Sequence, residues 1–131
     1  MKRVAFASEY CLLDSSSGAA LATAQCLKFL ASWGLQCQAF CGARLDFTEE
    51  VCFEETLSRL GLPYEVADRT VDGRPARLIF TRAGDVPVTV FRNVFTQGLT
   101  EEEMPAFLGA YDTFLGANRP DVLTLRRRAG W

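Results

Sequence analysis

The stretch that decides the fold lies in the first third of the chain, where residues 3–40 read RVAFASEYCLLDSSSGAALATAQCLKFLASWGLQCQAF. Val4–Ala7 is a short apolar run typical of a buried parallel strand, and a loop of small and polar residues follows it. From Ala19 to Trp33 apolar residues recur at helical spacing, and Gly34 stops the helix before a second apolar run, Cys37–Cys41. This order predicts the start of an alternating α/β domain.

The first helix is unusually apolar. One face is expected to carry Ala20, Ala24, Leu27 and Ala31, and the apolar surface is widened by Cys26, Phe29, Leu30 and Trp33. A helix with this much apolar surface is expected to be buried on more than one side. In an isolated domain part of it would be exposed, which suits a missing partner domain or a homodimer.

The middle of the chain predicts a short helix and an antiparallel hairpin. Thr48 is a candidate cap for a helix whose apolar side holds Phe53, Leu57 and Leu60. A brief strand over Tyr64–Ala67 follows. Two apolar runs, Ala76–Phe80 and Val88–Phe91, then flank a turn at Arg82–Asp85, which is a hairpin pattern.

The third helix carries the clearest start signal. Thr100 and Glu103 have capping-box spacing, and Leu99 is placed to pack as a hydrophobic staple on Met104, which is expected to start the helix. Asp121–Leu125 is expected to return to the parallel sheet. The fold predicted for residues 1–131 is a single α/β domain, a Rossmann-like three-layer sandwich with a mostly parallel sheet and an antiparallel hairpin.

Composition narrows the class of protein. The chain has 131 residues, a formal net charge of −2 and no histidine, so neither nucleic-acid binding nor a metal site is expected. No apolar run approaches the roughly 20 residues that cross a bilayer, so no transmembrane segment is predicted. Five cysteines scattered through apolar runs indicate buried free thiols in a reducing, cytoplasmic compartment.

The loop after the first strand is the first candidate binding site. Ligands of such folds bind beyond the carboxyl ends of the strands, where Ser15, Ser16, Ser17 and Gly18 precede the first helix. Hydroxyls and free N–H groups at a helix N-terminus can hold a phosphate or a sugar hydroxyl. The alternative is a flexible turn with a serine cap. Because the G-x-G-x-x-G pattern is absent, NAD binding is disfavoured and no cofactor is predicted.

A second set of polar residues could line the same cleft. Arg92, Asn93 and Thr96 follow the hairpin, with Gln97 beside them, and are candidate contacts for a polar acceptor. A solvated loop is the favoured alternative for them. Glu9 and Asp14 flank the first loop and could orient hydroxyls or act as a base, although surface carboxylates are commoner than catalytic ones.

Together these segments resemble the amino-terminal half of a family 4 glycosyltransferase of the GT-B architecture. The resemblance rests on the opening RVAFAS, on the loop and helix DSSSGAALATAQCLKFLASWGLQCQAF, and on FLGAYDTFLGANRPDVLTL near the end. Gly34 stands where the family has a glycine before the second strand, and Pro120–Val122 matches the family's Pro-Asp-Val type strand.

The resemblance implies a function divided between two domains. In the family the amino-terminal domain mainly holds the acceptor and the carboxyl-terminal domain holds most of the nucleotide sugar, with transfer in the cleft between them. The family's paired glycines after the first strand are replaced here by Ser15–Gly18, which keeps one glycine and adds hydroxyl donors. The absence of histidine excludes a histidine-assisted mechanism on this half.

Two functions therefore stay open. The chain is either the acceptor-side domain of a sugar transferase, inactive as an isolated fragment, or a stand-alone Rossmann-like module that binds a partner and catalyses nothing. The sequence identifies neither the sugars nor a catalytic residue.

Overall fold

The computed structural model describes residues 2–13, 18–44, 53–71, 73–92 and 101–126. The strands are β1 Arg3–Tyr10, β2 Gln36–Arg44, β3 Glu65–Val71, β4 Arg74–Ala83, β5 Val86–Arg92 and β6 Val122–Arg126. The helices are α1 Gly18–Ser32, α2 Phe53–Arg59 and α3 Met104–Asn118, the last preceded by a 3-10 turn over Glu101–Glu103. This order confirms the predicted alternation of strands and helices.

The described strands form one sheet in the order β3-β4-β5-β2-β1-β6. β1 is parallel to β2 and β6, and β2 is parallel to β5, whereas β4 is antiparallel to both of its neighbours. From β1 the chain passes through α1 to the neighbouring β2, and then through α2 to β3, β4 and β5 on the same side of the sheet. It finally crosses through α3 to β6, on the other side of β1. The carboxyl ends of the parallel strands therefore share one edge, where folds of this kind bind ligands.

Helices cover both faces of the sheet, as the three-layer prediction requires. Along β2, Cys37, Ala39 and Cys41 belong to a buried cluster with residues of α1 and α2, whereas Phe40 belongs to a second cluster with α3. Alternate residues of a strand point to opposite faces, so β2 is buried on both sides. On the α3 side, the ring of Phe40 lies 5.2 Å from that of Phe107.

The expectation that α1 is buried on more than one side is wrong. Its buried residues are Ala20, Ala24 and Leu27, which lie on a single side. Phe29 is 58% exposed and Trp33, just beyond the helix, is 74% exposed. Within the described residues the sheet supplies one apolar surface for this helix, so the remaining apolar residues face outward. The related expectation, that an isolated domain exposes part of this helix, is confirmed.

α3 starts at Met104, as predicted, but Glu103 occupies its N-cap position and not the third helical position that a capping box with Thr100 requires. Thr100 and Leu99 lie outside the described residues. Pro105 lies in the first turn of the helix. A proline is tolerated there because the first N–H groups of a helix have no partner within it, which favours a start just before this residue.

The antiparallel part of the sheet is larger than the sequence indicated. The predicted hairpin is confirmed as β4 and β5, which are joined by Gly84 and Asp85, and Gly84 has φ +62°. β3 extends to Val71 and pairs with β4 along its whole length, so a second antiparallel pair joins the sheet. Leu60, expected on the apolar side of α2, lies in the turn after it and is exposed.

Candidate functional site at the carboxyl edge of the sheet

The predicted loop site is described only at its two ends. Asp14 and Ser15–Ser17 lie outside the described residues, as do Asn93, Thr96 and Gln97. Glu9 is in β1, next to its carboxyl end, and Gly18 is the first residue of α1. A Cβ atom placed on Gly18 would meet no atom within 4 Å.

Arg92 is the predicted cleft residue that the structure describes in full. It is the last residue of β5, not part of a loop, and it is 7% exposed. Its Nε lies 3.1 Å from Oε1 of Glu54, which is in the first turn of α2. The expectation that Arg92 belongs to a solvated loop is therefore wrong. Its ion pair with Glu54 compensates its charge, so β5 can end on a buried arginine.

Two further charged residues extend this pair across the sheet. Arg77 of β4 is directly opposite Arg92 on one side and opposite Asp68 of β3 on the other. Its Nε donates a hydrogen bond of 2.8 Å to Oδ1 of Asp68, and its Nη1 lies 3.8 Å from Oε2 of Glu54. We call Glu54, Asp68, Arg77 and Arg92 the arginine–carboxylate cluster.

The cluster is electrically balanced. Two guanidinium groups alternate with two carboxylates, so its formal charge is zero. The hydrogen bond from Arg77 lowers the pKa of Asp68, and the positive charges of Arg77 and Arg92 act in the same direction. Asp68 is therefore held in its ionised form, which maintains its bond to Arg77.

The balanced charge of the cluster means that it has no excess positive charge to attract an anion. A free cluster of arginines would favour phosphate or another anion, but here each guanidinium has a carboxylate beside it. The charged groups of the cluster pair with one another, and Arg92 and Glu54 are largely shielded from solvent, so the cluster holds α2 against β4 and β5.

The strand order places the cluster relative to the predicted loop site. Arg77 and Arg92 are in phase with Ile79 and Val90, which belong to the core on the α1 and α2 side of the sheet. The ends of β5 and β1 are separated by β2 alone, which corresponds to about 10 Å. Arg92 and the end of β1 near Glu9 therefore lie on one edge of the sheet.

Sequence reasoning missed Glu54, Asp68 and Arg77, although a signal for Arg77 was present. Arg77 alternates in phase with Ile79 and Thr81, both buried residues of β4. A charged residue in phase with a buried face needs an opposite charge nearby. Nothing in the sequence identifies that charge as Glu54, because α2 and β4 are brought together only by the fold.

A groove of about 450 Å³ lies elsewhere, on the face of the sheet that α3 covers. Its walls are the carboxyl-terminal half of α3 and the outer strands β3 and β4, with Phe40, Leu78 and Phe114 among its apolar lining. The cluster faces the opposite side of the sheet. The groove is therefore separate from the candidate site.

The described ranges also contain the other groups that could bind a metal ion or react as thiols. They contain no group of three or more cysteine, aspartate or glutamate side chains arranged to hold a metal ion. Cys11, Cys37 and Cys41 are buried, as predicted, whereas Cys26 is exposed on α1, so the expectation of a buried position is wrong for it. Cys52 lies outside the described residues. None of the described helices is both long and apolar enough to cross a membrane.

The strand order and the two helix layers define a Rossmann-like α/β domain. The chain is similar to the catalytic domain of starch synthase IV from Arabidopsis thaliana, a structure solved with ADP and acarbose bound, with a TM-score of 0.55 and 14% sequence identity. The similarity covers 95% of this chain but 27% of that chain. No protein-family model matches the chain, and no curated protein matches it.

Proposed function

We propose that this chain forms the amino-terminal, acceptor-side domain of a nucleotide-sugar-dependent glycosyltransferase of the GT-B architecture, with family 4 the family it resembles in sequence. The observation that carries the proposal is the fold, since 95% of the chain aligns with part of a starch synthase catalytic domain. A cytoplasmic location with reduced thiols belongs to the same proposal.

The carboxyl edge of the sheet supplies the acceptor contacts in this proposal. Ser15–Gly18 binds an acceptor hydroxyl or a donor phosphate at the N-terminus of α1. Arg92, held by Glu54 at 3.1 Å, is a positioning residue at the far side of the same edge. Glu9, Asp14, Asn93 and Thr96 are the other residues assigned to the proposed cleft, and no catalytic residue is assigned.

The proposed domain does not transfer sugar by itself. It spans 27% of the chain that it matches, and the nucleotide contacts of the proposed enzyme belong to a second domain. Correct alignment of two reactants is worth about 7–11 kcal/mol of the barrier, and half a cleft cannot supply it. A stand-alone binding module is the second candidate, favoured by the outward apolar face of α1.

Amide chemical shifts during titration test the binding edge. We expect candidate sugar acceptors to shift residues 9–20 and the region from Arg92 onward, and nucleotide sugars or diphosphates to act mainly at residues 15–18. Replacing Ser15, Ser16 and Ser17 together by alanine should weaken binding. Ser32→Ala is the matched control, because that hydroxyl bonds to the carbonyl of Phe29 at the other end of α1. Shifts confined to residues away from this edge would overturn the assignment.

A transfer assay separates the two candidate functions. Nucleotide release from several nucleotide sugars is measured with and without acceptors, for this polypeptide and for the same polypeptide joined to a donor-binding domain. Acceptor-dependent release by the joined protein alone supports the proposal. Equal rates for both would show that residues 1–131 hold a complete site, and no release by either, with a partner protein bound instead, would favour the binding module.

A further inference from the structure

The groove on the α3 side of the sheet lies where α3 leaves part of β4 uncovered. β4 is an interior strand, yet Ile79 is fully buried on the α1 and α2 side, whereas Phe80, which lines the groove, is 38% exposed. α3 faces the groove in part with small side chains, those of Ala110 and Ala117. A concavity of about 450 Å³ remains between the helix and the outer strands, which is a usual volume for a small-molecule site.

The groove has a mainly apolar lining, and its largest apolar side chains are those of Phe40, Leu78, Phe80 and Phe114. Two polar side chains on the α3 wall have their hydrogen bonds within the helix. Thr113 Oγ1 donates to the carbonyl of Gly109. Asn118 Nδ2 donates in the same way to the carbonyl of Phe114. An apolar group in the groove therefore leaves these donors satisfied.

Arg69 is the one charged residue among the described residues that line the groove. It is exposed, and within the described ranges its guanidinium has no carboxylate partner, whereas Arg77 and Arg92 are both paired. Arg69 is opposite Ala76, a residue of the buried cluster on the α3 side, so its side chain is on that side too. An unpaired guanidinium beside an apolar surface favours an anion that carries an apolar body.

The strand register gives the groove a direction. Glu65 is opposite Phe80, so it is on the same side of β3 as Arg69 and four positions away, which corresponds to about 13 Å. Glu65 does not line the groove, but its charge at the Phe80 end repels an anion there. The charged group of a ligand is therefore favoured at Arg69, with its apolar body extending over Leu78 toward Phe80.

We infer that the groove binds a small amphiphilic anion, namely a carboxylate with an apolar tail. The carboxylate pairs with Arg69, whose planar guanidinium matches its two oxygens, and the tail covers Leu78 and Phe80. A single negative charge suits the site, because the lining offers a single positive one. This inference does not depend on the proposed glycosyltransferase function, and either can fail without the other.

Decanoate, kept below the concentration at which it forms micelles, is the probe for this site. An NMR titration should show saturable binding, with intermolecular contacts between its methylene protons and the ring of Phe80. Decanol has the same tail without the charge and should bind about three- to fivefold more weakly, as expected for the loss of one exposed ion pair. Acetate has the charge without the tail and should not bind measurably.

A matched pair of arginine variants tests the charged end of the groove. Arg69→Gln should weaken the binding of decanoate about three- to fivefold and leave the binding of decanol unchanged. Arg59→Gln is the control, since Arg59 is an exposed arginine of α2, on the other side of the sheet, and this variant should bind both probes like the wild type. Equal effects of the two substitutions would overturn the proposal.

A second pair of variants tests the apolar part. Ala117→Trp should fill the groove and abolish the binding of both probes, whereas Leu108→Trp should not, because Leu108 is an exposed residue of α3 outside the lining. Circular dichroism establishes that the variants are folded. Absence of saturable decanoate binding, or binding that Ala117→Trp leaves intact, would overturn the proposal. Dimers of the wild type that Ala117→Trp abolishes would identify a second copy as the occupant and would also overturn it.

Discussion

Glu54 of α2 and Arg92 of β5 form an ion pair with 3.1 Å between Oε1 and Nε, and both side chains are largely shielded from solvent. The pair ties a short helix to the carboxyl end of a central strand. Removing one partner of a shielded pair leaves the other charge without compensation, which commonly costs roughly 3–5 kcal/mol. We expect Glu54→Ala to lower the free energy of unfolding by an amount near the lower end of that range, measured by urea denaturation.

The neighbouring glutamate provides a control for this prediction. Glu55 pairs with Arg59 on the exposed side of the same helix, and such pairs contribute about 0.3–0.5 kcal/mol. Glu55→Ala should therefore have little effect. Replacing Glu54 and Arg92 together by methionine should cost less than Glu54→Ala alone, because no charge is left unbalanced. Equal losses for the two alanine variants would contradict this account of the cluster.

Phe40 organises the core on the α3 side. Its ring lies 5.2 Å from Phe107 and 5.5 Å from Phe114, and its side chain is fully buried. Phe40→Ala should destabilise the protein by about 3–5 kcal/mol through lost burial and the cavity left behind. Leu108→Ala, on the exposed side of α3, should have a much smaller effect in the same denaturation experiment.

The bond between Arg77 and Asp68 predicts a pH dependence. Because the hydrogen bond from Arg77 lowers the pKa of Asp68 below its ordinary value of 3.8, its contribution to stability is present above that value and is lost as the pH falls through the lowered pKa. The stability difference between wild type and Asp68→Asn should be present at neutral pH and disappear in acid. In an Arg77→Met background, Asp68→Asn should produce no such pH-dependent difference.

The cysteines should differ in reactivity. Burial raises the pKa of Cys37, and the neighbouring Cys26 acts in the same direction, so Cys37 forms little thiolate near neutral pH. In a Cys52→Ser protein at low concentration, a thiol reagent should label Cys26 rapidly and the buried Cys11, Cys37 and Cys41 only after denaturation. Cys26→Ser should remove the rapid phase. Rapid labelling of all the thiols in the folded protein would contradict the buried positions.

Local sequence patterns predicted most of the elements because their signals are local. The apolar run Val4–Ala7 lies within β1, and Ala19–Trp33 corresponds to α1 within one residue at each end. The hairpin was predicted from two apolar runs around a turn containing Gly84, where a positive φ favours glycine. The start of α3 at Met104 was also predicted, but Glu103 occupies its N-cap position and not the third helical position of the predicted capping box.

The candidate site could be predicted only in part. Placing Arg92 near the ligand edge required only the direction of the strands, which the alternating pattern supplies. Its pairing with Glu54 could not be predicted, since 37 intervening residues separate them and no periodicity links α2 to β5. The predicted residues 14–17 and 93–96 lie outside the described residues, so their roles stay predictions.

The sequence by itself determined the α/β class, the parallel core of the sheet and the antiparallel hairpin, because hydrophobic periodicity and turn residues act over a few positions. The tertiary structure alone decided which apolar residues of α1 are buried, and it brought Arg77 between Asp68 and Glu54. Composition fixes how much apolar surface a helix has, but only the neighbours packed against it determine which part is removed from water.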